Sequence, residues 1–241
     1  RIHAFFERIL KNQLKKSVNL CNFSLKQKLF RPFASTHKSR SNVKYNRNRE
    51  HFKTKCMFLT DFSTLPCDET HSMKMNNVKI LFLHGLDSSK ESNKFHAIHA
   101  KQKFCMDVDY RNLSFQTVEM LYQNMIAKIK PDLLVGHGVG GYWTLRMSDQ
   151  FRLPAIVANP SLAPKFRDDY PALEEKDLDH DIPQLAYLEL GDEMLDMHQT
   201  QHILERFMLV HTYAGGYHRL ECPENINLLI QHFEQTLLSQ K

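Results

Sequence analysis

No run in this sequence approaches the roughly 18 consecutive apolar residues that a membrane-crossing helix requires, so no such helix is expected. Glycine and proline are scarce, at 8 and 9 in 241 residues, which argues against a collagenous or low-complexity chain. The five cysteines (Cys21, Cys56, Cys67, Cys105, Cys222) are irregularly spaced and include no CxxC pair. That pattern speaks against a zinc ribbon or a disulfide scaffold and fits a reducing compartment, the cytoplasm. Nothing in it asks for a metal or a cofactor. What remains, with 42% hydrophobic residues and a mean hydropathy of −0.46, suffices for one α/β domain while leaving part of the chain outside a packed core.

Acidic residues are also scarce, but only at the start. Through Asn77 there are 16 Lys and Arg against 5 Asp and Glu; beyond it there are 16 against 22. Residues 1–75 thus read as a basic extension, disordered or loosely helical. Ile2, Phe5, Phe6, Ile9, Leu10 and Leu14 recur near helical spacing, whereas the polar stretch from Arg31 to Lys55 carries too little apolar surface to offset its ordering entropy. An organelle transit peptide, a nucleic-acid-binding arm, a helix on an anionic membrane and an extension foreign to the native domain all fit such a segment. The run "MKMNNVKILFLHG" reads like a natural start, which would place the functional beginning at Met73 or Met75.

From Val78 onward strands and helices alternate. Val78–Leu83 is a short apolar run ended by His84-Gly85. A polar helix is expected from Ser92 to Phe104 and a second strand from Phe104 to Tyr110. Ser114 to Lys130 places Phe115, Val118, Leu121, Tyr122, Met125, Ile126 and Ile129 on one stripe, with Ser114 as N-cap and Pro131 beyond the end. Further strands are expected at Leu133–Val135, Ala155–Ala158, Leu185–Leu190 and Met208–Thr212, with helices at Tyr142–Phe151, Asp196–Phe207 and Glu224–Leu238. Residues 161–183, rich in proline and charge, read as an irregular excursion. Continuous apolar strands alternating with helices indicate a doubly wound, mostly parallel sheet over residues 76–241, covered on both faces.

In such sheets chemistry gathers at the carboxyl ends of the strands. Four motifs fall there: His84-Gly85-Leu86-Asp87, the glycine-rich Gly136–Gly141, Gly191-Asp192-Glu193-Met194, and Gly215-Gly216-Tyr217-His218. Turn, acid and histidine follow in the order of a nucleophile elbow with its Asp and His. The elbow pattern is G-x-S-x-G. Here the frame is Gly136-His137-Gly138-Val139-Gly140, and the nucleophile position holds Gly138, which has no atom to attack a carbonyl.

With "LFLHGLDSS" at 81–89, "GHGVGGYW" at 136–143, "LPAIVANPSLAP" at 153–164, "GDEMLD" at 191–196 and "GGYH" at 215–218, the sequence resembles the YqiA/YcfP-like esterase family of the α/β-hydrolase superfamily, from about Val78 to the C-terminus. The resemblance implies an α/β-hydrolase fold and hydrolysis of small carboxylic esters or thioesters by a Ser-Asp-His triad. Members of one branch carry Gly in place of the serine. Carried over by position, Gly138 occupies the nucleophile site, His218 is the histidine, and Asp192 is the acid, with Asp196 as the alternative. The backbone N–H groups of Leu86 and Val139 form the oxyanion hole. His84, Gly85 and His137 line the pocket, His84 shaping its loop. Tyr142 and Trp143 read as core, and Ser88, Ser89 and Ser161 as nearby hydroxyls that could stand in for the missing one. The implied partner is a small acyl ester or related molecule, with no nucleic acid expected for the domain. The alternative is a non-catalytic hydrolase-fold protein that binds an acyl-type ligand or a protein.

Overall fold

In the computed structural model, residues 76–235 are described. Everything expected of residues 1–75, the boundary at residue 75 included, lies outside them, as does the end of the last expected helix. In chain order the elements are β1 (Asn76–Leu83), α1 (Asn93–Ala97), β2 (Ala100–Cys105), α2 (Phe115–Ile129), β3 (Leu133–Gly138), α3 (Val139–Phe151), β4 (Ala155–Pro160), α4 (Glu175–Leu178), β5 (Gln184–Glu189), α5 (Met197–Leu204), β6 (Leu209–Tyr213) and α6 (Asn225–Phe233). The six strands form one sheet in the order β2-β1-β3-β4-β5-β6, and every pairing is parallel.

The apolar strand runs follow from burial on two faces. Alternate residues of β1 point to opposite sides: Ile80 and Phe82 join Val135, Ile156 and the α6 residues Ile226, Leu229, Ile230 and Phe233. Leu81 and Leu83 join Leu134, Tyr122 of α2 and Trp143 of α3. Further along the same second face, Val157, Ala186 and Leu188 pack on Leu145, Met197 and Leu204. Tyr142 and Trp143 are fully buried, as the sequence suggested. The α2 stripe also forms as expected: Ser114 accepts a hydrogen bond from Thr117 N (3.2 Å), capping donors that the helix cannot use itself. At its other end Lys130 takes a left-handed turn before Pro131.

One stretch differs from its sequence pattern. The helix expected from Ser92 to Phe104 closes at Ala97, and the second strand occupies Ala100–Cys105, earlier than the expected 104–110. Ser92 does cap the short helix, accepting from Phe95 N (3.3 Å). The chain then turns extended at Ile98 (φ −70°, ψ 118°). From there it pairs with β1, Lys79 opposite Gln102 through Phe82 opposite Cys105. "AKQKFC" is too polar to read as a buried strand because it is an edge, where lysines are tolerated and discourage further pairing. Backbone pairing outweighs the local helical preference there.

Candidate active site

β3 runs fully buried into Gly138, which lies at φ 56°, ψ −122°, and α3 begins at the next residue. Only glycine adopts that backbone conformation without strain. Gly140 answers a different demand. A Cβ there would overlap the carbonyl oxygens of Leu83 and His84, so α3 can approach the end of β1 only without a side chain. At Gly138 itself there is room: a Cβ would sit 3.6 Å from His218 Nε2 and 3.7 Å from Gly85 Cα, ordinary contact distances. Ser161 N donates to Gly138 O (3.0 Å), tying the turn to the end of β4.

The charged half of the site is built from the ends of β4, β5 and β6. His218 Nδ1 hydrogen-bonds Asp192 Oδ2 at 2.8 Å. The same oxygen accepts from Asn159 Nδ2 (2.8 Å), and Oδ1 accepts from Met194 N (2.8 Å) and Leu195 N (2.9 Å). The Asp192 side chain is completely buried and that of His218 is 19% exposed. Burial pushes the Asp192 carboxyl up, but the hydrogen bonds from His218, Met194 and Leu195 outweigh it and hold the group below the usual carboxylate range. An ionised Asp192 accepting at Nδ1 leaves Nε2 of a neutral His218 as the free acceptor, on the side of Gly138. The alternative acid, Asp196, is elsewhere: it caps α5, accepting from Gln199 N (2.9 Å).

Two residues that the sequence did not single out for the site hold this half together. Asn159, fully buried at the end of β4, accepts from Glu189 N (2.8 Å) while donating to Asp192. Glu189, fully buried at the end of β5, accepts from Cys222 N (2.9 Å), Glu221 N (2.6 Å), Tyr217 N (3.3 Å) and the Tyr187 hydroxyl (3.1 Å). Its carboxylate therefore satisfies three backbone donors of the loop that presents His218. The signal available beforehand was faint: Asn159 closes an apolar run before Pro160, and Glu189 is the lone acid inside one.

Two further histidines singled out from the sequence, His84 and His137, make backbone contacts. Val108 N donates to His84 Nε2 (2.9 Å), so Nδ1 carries the proton and donates to Gly85 O (2.8 Å). Burial lowers the pKa of His84, the Gly85 bond and Asp107 opposing it. His137 donates from Nε2 to His218 O (2.7 Å), and burial drives its pKa down to about 3. His84 thus ties its loop to Val108, and His137 is packed while also lining the cavity.

That cavity, about 500 Å³, opens over Gly138 and His218. Gly85, Leu86, Val139, His137, Ser88 and Ser161 are among its lining, so the residues singled out from sequence converge on one place; His84 does not line it. Among the described residues no serine hydroxyl hydrogen-bonds His218; Ser89 instead accepts from Glu91 N. No group of three or more His, Cys, Asp or Glu among the described residues is arranged to hold a metal ion. No helix among them is long and apolar enough to cross a membrane.

An all-parallel six-stranded sheet carrying a strand–turn–helix cavity and an Asp–His pair at its carboxyl edge is an α/β-hydrolase fold. Solved structures share it. Est1E from Butyrivibrio proteoclasticus with ferulic acid bound superposes with a TM-score of 0.56 at 14% identity, covering 71% of this chain and 94% of that one. The hydrolase MGS-MChE2 from a sediment metagenome of the Mar Chica lagoon gives 0.54 at 14% identity, covering 67% and 92%. More particularly, residues 79–177 match the model of UPF0227, described as an uncharacterised protein family. A UPF0227 protein of Shewanella woodyi is 30% identical, the match covering 36% of this chain and 52% of the relative. The chain thus spans about half the length of that curated relative, and its similarity to UPF0227 extends over residues 79–177.

Proposed function

We propose that this protein is an esterase-like α/β-hydrolase-fold enzyme acting on small carboxylic esters or thioesters, with water in place of a serine nucleophile. The observation that carries this reading is the partly buried Asp192–His218 hydrogen bond, supported by Asn159, Met194 and Leu195, beside an unfilled Cβ position at Gly138. A water in the space above Gly138 would lie within reach of His218 Nε2. His218 takes its proton as the hydroxide oxygen bonds to the carbonyl carbon, and Asp192 stabilises the imidazolium. The N–H groups of Leu86 and Val139 donate to the developing oxyanion. Collapse breaks the ester bond, and the leaving alkoxide or thiolate takes the proton from His218 Nε2. No acyl-enzyme forms, because Gly138 offers no oxygen to acylate.

A serine hydrolase without its triad retains about 10³–10⁴-fold rate enhancement over water from its oxyanion hole and binding alone, and general-base catalysis by His218 adds to that floor. The purified full chain with p-nitrophenyl acetate should show a slow rate without a burst, and His218→Ala should lower it to the level that the oxyanion donors and binding alone sustain. A rate unchanged in His218→Ala, or none at all, overturns the water mechanism. The absent side chain at Gly138 favours the second reading, a non-catalytic protein that binds acyl compounds in the same cavity; binding of such compounds without turnover is its signature.

A further inference from the structure

The cavity beside His218 carries more positive charge than its own contacts account for. Lys94 is the clearest case. Only 6% of the residue is exposed, yet it lines the cavity. Its ammonium has three donors and makes one hydrogen bond, to Arg219 O at 3.2 Å. It forms no ion pair among the described residues. Burial lowers its pKa, Arg219 adds to that, and Glu189 opposes it. Arg219 and Lys165, both exposed, stand on the same lining, also without an ion pair among the described residues. Arg111 is there too, but two hydrogen bonds from its guanidinium are taken by Asp87. Apolar surface completes the wall, with Leu86, Phe166 and Met194.

A nearly buried ammonium without a counter-ion is costly, and a ligand that supplies the anion removes that cost. We infer that the cavity takes an acyl compound bearing an anionic oxygen group, a carboxylate or a phosphate, held by Lys94 with Lys165 and Arg219 at the rim. The apolar part of the ligand rests on Leu86, Phe166 and Met194, and the ester is left facing His218. This rests on the esterase-like reading for the ester, whereas the anion preference stands on the cavity's cations, Lys94 first, with Lys165 and Arg219.

Calorimetric titration of the full chain with monoethyl succinate, monobutyl phosphate and neutral diethyl succinate tests it without requiring turnover. Either anion should bind at least about ten-fold more tightly than the diester, and added salt should narrow the gap. Whichever anion binds more tightly identifies the group. Lys94→Met should abolish most of the preference and leave diethyl succinate binding unchanged. If that variant does not fold, Lys165→Gln with Arg219→Gln, altered only at exposed positions, decides instead and should lose about three-fold. Equal binding of the three compounds, no binding of either anion, or a preference retained in folded Lys94→Met overturns the inference. A retained preference with no hydrolysis counts against the proposed reaction alone; hydrolysis with no preference counts against this inference alone.

Discussion

The two sides of the site are built by opposite means. At the β3–α3 turn, geometry is set by missing side chains: Gly138 adopts a conformation that other residues resist, and Gly140 lets a helix lie against the end of β1. Across the cavity, at the ends of β4, β5 and β6, geometry is set by buried polar groups that satisfy one another: Asn159, Glu189, Asp192 and His218. The first side asks for no side chain at residue 138, because glycine carries no backbone strain there. The second tolerates almost nothing, since each member would strand a buried partner. On the proposed reading, a chain with glycine in place of an elbow serine can therefore keep the rest of the arrangement folded.

That contrast should appear first in stability. Glu189→Ala leaves three backbone N–H groups of the His218 loop without their acceptor, and urea unfolding should show a loss of at least about 3 kcal/mol. Equal stability with wild type would mean that the loop does not depend on Glu189. The glycine side should respond less. Gly138→Ala meets only ordinary contacts but must adopt φ near 56°, so it should lose about 1–3 kcal/mol from backbone strain alone. A larger loss there than in Glu189→Ala would reverse the comparison.

The third expectation concerns pH. An unfolded histidine titrates near 6.5, whereas buried His137 takes up its proton only near pH 3. Between those values the unfolded chain binds a proton that the native one does not, so stability rises with pH. The contribution of neutral His137 is whole above about pH 6.5 and is lost progressively as the pH falls toward 3. In mid-window its slope approaches about 1.4 kcal/mol per pH unit. Urea melts from pH 7.5 to 5 should show the decline, and His137→Gln, which keeps a donor for His218 O, should flatten it. Asp192 acts in a different window: its depressed pKa protects the pair until the pH drops below the ordinary carboxylate range.

Much of this was legible in the residues. β3, β4 and β5 appear as apolar runs because both faces of the sheet are covered, and α2 announces itself by its stripe and by Ser114. Asp192 and His218 could be named from their order at strand ends, since a parallel sheet brings those ends together. β2 escaped because an edge strand has no need of a continuous apolar sequence. Asn159, Glu189 and Lys94 escaped for another reason. Each acts on a partner at least 28 residues away in sequence, Asn159 on Glu189 and Asp192, Glu189 on Tyr217 to Cys222, Lys94 on Arg219. No local pattern encodes a contact between strand ends that only the finished sheet creates.

The central claim is that the site lacks a single hydroxyl and is otherwise in place. Gly138→Ser, treated with a fluorophosphonate ester and examined by peptide mass spectrometry, tests it most directly. The account predicts covalent phosphonylation at residue 138, absent in wild type and lost when His218→Ala is added. A folded Gly138→Ser protein that stays unlabelled at residue 138 would contradict it.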